Sequence, residues 1–268
     1  MGVSKGIGFE FMKQISSDAQ NLVIGLVRDT QATEKKAVAE FGALRENIRL
    51  VQADLGSHAS LKRAAETAAG IVGDAGVDVL VANAGLVSYF DGFKPIGDLA
   101  GKPDELEKCA SELFQINVVG NVHLFHAFLP LLLKSNTQTK RVITLTSGVA
   151  DLDLTNDFDL DIGALYAASK AAMNMVIAKF SVQYKYQGVL FMGISPGVVE
   201  VGHYDTVSED EMKGMVAFVE KLKKYAPDFA GPISTEESVR RMREVWEKAT
   251  IEKDAGAFVS HLGNKKWV

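Results

Sequence analysis

Across 268 residues there is one cysteine, Cys109. No internal disulfide can form, and a reducing, cytoplasmic setting fits that usage. Excess positive charge is also lacking. The 29 Lys and Arg stand against 34 Asp and Glu, for a net charge of −5. A phosphate backbone calls for a basic face, so this balance argues against a nucleic-acid partner. The opening residues, Met1-Gly2-Val3-Ser4-Lys5-Gly6, hold no apolar run of the kind a secretory leader carries. There are six prolines, with no low-complexity tract, internal repeat or evident domain boundary. The span 1–268 therefore reads as one domain, long enough to bury a sizeable core.

One run imitates a membrane span. Residues 113–133 contain no Asp, Glu, Lys or Arg, about the length a bilayer requires. They do contain Gln115, Asn117, Asn121, His123, His126 and Pro130, so a core helix is expected and no membrane partner. His123 and His126 stand at i and i+3 with no third ligand in view, which points to packing or a subunit contact rather than a metal. Cys109 reads as an inert helix residue.

Short apolar runs alternate with helical patterns. Strands are expected at 21–27 (NLVIGLV), 48–53, 77–82, 141–146, 189–194 and 257–262. Helices are expected at about 6–17, 30–42, 57–72, 103–133, 163–187 and 205–225, and from Ser234 to about 250. Ser234-Thr235-Glu236-Glu237 has the form of a capping box. Such alternation with short connections is the pattern of a doubly wound parallel sheet. The segment 87–102 reads as a loop. Asp151, Asp153, Asp157, Asp159 and Asp161 read as a solvated loop, since their spacing matches no EF-hand.

The chemistry-bearing residues follow the strands. Gly2, Gly6 and Gly8 allow a tight turn whose backbone approaches a pyrophosphate, with the next helix presenting its N-terminus to the anion. Tyr166 and Lys170, four apart, share one helix face. A lysine there favours the phenolate and brings tyrosine toward a useful acid–base range. Ser147, ending a strand, can hydrogen-bond the oxygen whose charge changes. In a doubly wound sheet all of these lie along the one edge where ligands bind.

Taken together, these motifs resemble the short-chain dehydrogenase/reductase family over nearly the whole length. Residues 1–8 look like its T-G-x-x-x-G-I-G turn, Asn83-Ala84-Gly85 like its N-A-G motif, and Pro196-Gly197 like its P-G turn. Asn117, Ser147, Tyr166 and Lys170 match its catalytic tetrad in order. The tail, Gly256-Ala257-Phe258-Val259-Ser260 with Gly263-Asn264-Lys265, is similar to fungal members of secondary metabolism. The resemblance implies a Rossmann-type oxidoreductase interconverting a ketone and a secondary alcohol on a small, apolar or aromatic substrate. Tyr166 would move the proton. Lys170 would lower its pKa and hold the nicotinamide ribose, and Asn117 would hold a water behind Lys170. Gly2, Ser4, Lys5, Ile7, Arg28, Asp54, Asn83, Pro196 and Val199 would contact the cofactor. Arg28, ending its strand, and Lys5 suit a 2′-phosphate, so NADP(H) is favoured over NAD(H), although Asp29 adjoins Arg28. A homodimer or homotetramer paired through the two long helices is implied.

Three positions depart from the family pattern. No strand precedes the glycine turn, and the expectation is that the reading frame is truncated there. Val201 stands where a threonine usually bonds the nicotinamide amide. Nineteen positions separate Ser147 from Tyr166 where thirteen are common, which lengthens the loop beside the substrate opening. Tyr89, Phe90, Phe93, His203, Tyr204 and Met215 are candidates to line that opening. The alternative reading is a family member without redox activity (a ligand-binding, isomerase, cyclase or regulatory protein), or a truncated gene product.

Overall fold

In a computed structural model, residues 1–202 and 209–268 are described. Among the described residues, the β-branched and leucine-rich runs form six short strands: β1 Val23–Val27, β2 Ile48–Gln52, β3 Val79–Ala82, β4 Lys140–Leu145, β5 Val189–Ser195 and β6 Phe258–Ser260. β1 pairs with β2, and β3, β4, β5 and β6 pair in that order, with every pairing parallel. All seven residues of β5 are buried, as expected of a strand covered by helices on both faces.

No ladder joins the two sheets among the described residues. Met1 and Gly2 bridge them instead. The Met1 nitrogen donates to Val81 O at 2.8 Å, the Gly2 N–H to Leu26 O at 2.8 Å, and the Ala84 N–H to Met1 O at 3.1 Å. Met1 packs with Leu26 of β1 and with Leu80 and Ala82 of β3 in one cluster. The glycine turn, predicted to lack an anchoring strand, is thus tied to both half-sheets at their C-terminal ends.

The helices are α1 Gly6–Ile15, α2 Thr30–Phe41, α3 His58–Val72, α4 Pro103–Phe114, α5 Asn121–Lys134, α6 Leu152–Asp157, α7 Ala164–Tyr184, α8 Glu209–Tyr225, α9 Thr235–Lys248 and α10 Ile251–Asp254. Leu61, Leu124, Phe125, Met173 and Ile177 bring α3, α5 and α7 onto one face of the sheet. Phe11, Met242 and Trp246 bring α1 and α9 onto the other. The uncharged run lies in Pro103–Lys134, which is long and apolar enough to cross a membrane, yet 56% of its most apolar window is buried inside the fold. Its middle, Gln115–Gly120, is a π-turn joining α4 to α5. The Asp-rich stretch, expected to be a solvated loop, instead folds in part as α6. Asp151 caps it through Leu154 N–H at 3.0 Å, and Asp161 pairs with Lys221 of α8. The Ser234 cap forms as expected, its hydroxyl accepting from Glu237 N–H at 3.1 Å.

Candidate active site

Tyr166 and Lys170 lie in the first two turns of α7, which enters through Gly163 in the left-handed region at φ +68°. The Lys170 Nζ is 5.7 Å from the centre of the Tyr166 ring and donates to Leu145 O, the last residue of β4, at 2.9 Å. Burial pushes the Lys170 ammonium down to about 8 from its ordinary 10.5, because the charged form loses its water. Ser147, two residues past β4, is half-buried. Its loop is fixed by the next residue: Gly148 N–H donates to Ser195 Oγ at 3.0 Å.

Asn117 sits in the π-turn, where the extra residue rotates its side chain toward α7. The amide is held by three bonds to protein. Its Oδ1 accepts from Leu86 N–H at 2.7 Å, and its Nδ2 donates to Leu86 O at 2.9 Å and to Ser169 Oγ at 3.0 Å. Ser169 in turn donates to Tyr166 O at 2.7 Å. The Asn121 amide occupies Asn117 O at 2.9 Å. The Asn117 side chain therefore clamps the loop after β3 to α7, a role that the expectation of a held water did not include. Gly85 lies between them, where a Cβ would meet Asn117 Oδ1 at 3.1 Å and Lys170 Nζ at 3.3 Å.

At the other end, Gly2 and Gly6 adopt φ +83° and +53°, and a Cβ on Gly8 would stand 1.9 Å from Gly2 O. Only glycine fits there. Asn83, expected along the adenosine, donates its Nδ2 to Gly2 O at 3.1 Å and holds the turn shut. The N-terminus of α1 has no capping side chain, which leaves its first amides suited to a phosphate group. Ser4 and Lys5 are exposed on the turn beside it, with Ile7 half-buried behind them. Arg28, following β1, is exposed. Asp29 is committed elsewhere, its Oδ1 capping α2 at Ala32 N–H, 2.9 Å. Lys36 of α2, unmarked by any sequence motif, reaches back to Ser4 O at 3.5 Å. Asp54 folds its own turn by accepting from Gly56 N–H at 2.9 Å. These residues fit a dinucleotide whose pyrophosphate rests on α1 and whose adenosine end meets cationic side chains.

Around the lengthened loop, three distant segments meet. Leu154, Phe158 and Leu160 come from the lengthened loop, Phe218 and Tyr225 from α8, and Trp267 from the tail, all in one apolar cluster. Trp267 presses on Gly148, where a Cβ would meet its Cβ at 2.7 Å, and its backbone N–H donates to Tyr225 OH at 2.9 Å. Phe93 is buried and its carbonyl underlies Gly214 of α8, while Tyr89 remains 46% exposed. Phe90 and Met215 are half-buried, and His203 and Tyr204 lie outside the described residues. The Pro196-Gly197 turn is held by Ser238 Oγ, which donates to Pro196 O at 2.7 Å. Val199 is buried and bridges to Ile233, while Val201 lies over Gly6. His261 packs beneath Gly197 and is lowered to about 4 by burial and by the neighbouring Arg241. A cavity of about 540 Å³ opens beyond Val198, between residues 225–233 and the tail, away from Tyr166.

A parallel α/β sheet, a glycine turn at its C-terminal edge and a Tyr–Lys pair set along that edge define a nucleotide-dependent oxidoreductase. The short chain dehydrogenase family profile matches residues 1–212, and the chain belongs to the short-chain dehydrogenase/reductase family. It is 54% identical over 268 residues to the short-chain dehydrogenase/reductase iacC of Pestalotiopsis fici, covering 100% of this chain and 97% of that one. It is 49% identical to the short chain dehydrogenase virK of Hypocrea virens, with the same coverage. Among solved structures it superposes on an NADPH-bound carbonyl reductase from chicken fatty liver with a TM-score of 0.76 at 22% identity, covering 98% of this chain and 95% of that one. The carbonyl reductase Sniffer of D. melanogaster gives a TM-score of 0.75 at 20% identity with the same coverage. These two likenesses confirm the expected Rossmann-type fold.

Proposed function

We propose that the chain, acting as one domain over 1–268, is an NADP(H)-dependent reductase interconverting a ketone and a secondary alcohol on a small, apolar or aromatic molecule. The observation that carries this reading is Lys170 buried one helical turn from Tyr166. A positive charge held there favours the phenolate and makes tyrosine a usable proton donor and acceptor. The cofactor supplies the hydride. In the reducing direction the Tyr166 hydroxyl gives its proton to the carbonyl oxygen, and the Ser147 hydroxyl hydrogen-bonds that oxygen and orients it. Lys170 also holds the nicotinamide ribose. Asn117 keeps Leu86 and Ser169 in register behind the pair. Pro196 and the backbone at Val199 flank the nicotinamide, while Gly2, Ser4, Lys5, Ile7 and Asp54 hold the remainder, with Asn83 bracing the turn.

Preference for NADP(H) is supported by the exposed Arg28, Lys5 and Lys36 around the glycine turn, and by Asp29 being tied up as a helix cap rather than free for a ribose hydroxyl. The fungal relatives are in keeping with a biosynthetic role, and the single cysteine with a cytoplasmic setting. Met175 and Val182 on α7, with Phe114 on α4, are exposed apolar side chains, which favours a homodimer or homotetramer paired through these helices. NADPH oxidation with a panel of aryl and alkyl ketones tests the reading. Tyr166→Phe should lower kcat by roughly a hundredfold or more, and full activity in that variant would end the assignment.

A further inference from the structure

Helix α7 begins without a capping side chain of its own, because Gly163 occupies the N-cap. Asp91, seventy-odd residues earlier in the loop after β3, supplies the missing acceptor. Its Oδ2 accepts from Leu165 N–H at 2.8 Å and from Tyr166 N–H at 3.3 Å, and its backbone carbonyl accepts from Gly163 N–H at 3.0 Å. The residue is 0% exposed. Among the described residues it forms no ion pair with Lys or Arg. A buried carboxylate without a cation is costly unless amide donors and a helix N-terminus meet its charge. Here they do, and one of those amides belongs to Tyr166 itself.

The other carboxylate oxygen of Asp91, Oδ1, faces the Cys109 thiol at 3.9 Å. Ser88 Oγ accepts from Phe90 N–H at 3.0 Å and from Asp91 N–H at 3.4 Å, and the Cys109 thiol of α4 donates to Ser88 Oγ at 3.0 Å. Pro95 pairs with Ile162 on the far side of the same crossing. Asp91 therefore fastens the loop after β3, which also carries Tyr89 and Phe93, to the turn that presents the Tyr166 ring.

We propose that Asp91 is a positioning residue: its carboxylate fixes the first turn of α7 and thereby the placement of the Tyr166 hydroxyl against the substrate oxygen. The kinetic half of this inference rests on the reading of Tyr166 given above, and the structural half does not. Misplacing a reacting group by about 1 Å is enough to cost a hundredfold in rate. Binding of cofactor, which depends on the glycine turn and Lys170, should be left nearly intact.

The test compares Asp91→Leu, which removes the acceptor while keeping the branched shape at Cγ, with Asp91→Asn, which keeps one oxygen able to receive the two amides. Hydrogen exchange at residues 165–166, NADPH affinity by fluorescence, and kcat and KM with a ketone substrate are measured for each. In Asp91→Leu, amide protection should fall by about tenfold or more and kcat by roughly 10- to 100-fold, with NADPH affinity and KM within about threefold of wild type. Asp91→Asn should restore protection and kcat to within about fivefold. Unchanged protection and kcat in Asp91→Leu would overturn the proposal. So would an Asn variant as damaged as the Leu variant, and this arm decides the matter if Asp91→Leu fails to fold. If the wild type turns over no carbonyl with NADPH, the function reading fails, and the exchange experiment still decides whether Asp91 holds the turn.

Discussion

Replacing Lys170 with methionine should make the protein inactive and, near neutral pH, more stable. Burial takes the Lys170 ammonium from 10.5 to about 8, and each tenfold change in proton affinity is worth about 1.4 kcal/mol. Below pH 8 the folded protein therefore holds a charged lysine at a cost of about 3 kcal/mol relative to the unfolded chain. Methionine fills a similar volume without that cost. It also leaves Leu145 O without the 2.9 Å bond it receives from Nζ, a loss of about 1–2 kcal/mol. The balance is a gain of about 1–2 kcal/mol at about pH 7, or a rise in Tm of a few degrees for a domain of this size.

The gain should not survive in alkali. Between pH 8 and 10.5 the folded protein releases a proton that the unfolded chain keeps, so wild-type stability climbs through that window. At about pH 10 the cost of the charged lysine has shrunk to about 1 kcal/mol, and Lys170→Met should then match or fall below wild type. Urea unfolding of both proteins at the two pH values reads the difference directly. A variant destabilised by the same amount at neutral and alkaline pH would refute the reasoning, because it would mean that Lys170 bears no desolvation cost in the fold.

Three further outcomes follow from the geometry. Arg28→Glu should weaken NADPH binding by roughly tenfold or more while leaving NADH within about threefold, as measured by fluorescence titration, since one anionic contact is exchanged for a repulsion. His261, held near 4 against an ordinary 6.5, stays neutral in the fold while the unfolded chain takes up a proton. Stability should therefore drop as pH falls from 6.5 toward 4, and His261→Gln should flatten that part of the profile in a series of thermal melts. Gly148→Ala would place a methyl 2.7 Å from the Trp267 Cβ. It should cost about 1–3 kcal/mol in denaturant unfolding and lower kcat through the adjoining Ser147, with NADPH affinity unchanged.

The parts of this molecule that could be read from sequence are those encoded locally. Tyr166 and Lys170 needed only a helical spacing, β4 and β5 only an apolar run, and Ser234 only a serine followed three residues later by Glu237. What escaped were contacts between segments far apart in the chain. Asp91 sits in a stretch with ordinary loop composition, and nothing near it announces that its partner is the Tyr166 amide. Asn83 matched a nucleotide motif, yet its amide is spent on the glycine turn. Asp29, a competing ribose ligand by position, proved to be a cap that the Asp-Thr-Gln-Ala sequence could have signalled. The bridging of the two half-sheets by Met1 and Gly2 was equally out of reach, because it depends on where β1 and β3 come to rest.

The seating of Trp267 makes the protein its own optical reporter. The chain has two tryptophans. Trp246 is stacked on Phe11 in the core beneath α9, whereas Trp267 is stacked on Phe258 at 4.5 Å, in the cluster that joins the lengthened loop and α8. With Trp246 exchanged for phenylalanine, the remaining emission would come from the indole stacked on Phe258, so its colour and quenching would report how the tail packs against the lengthened loop and α8.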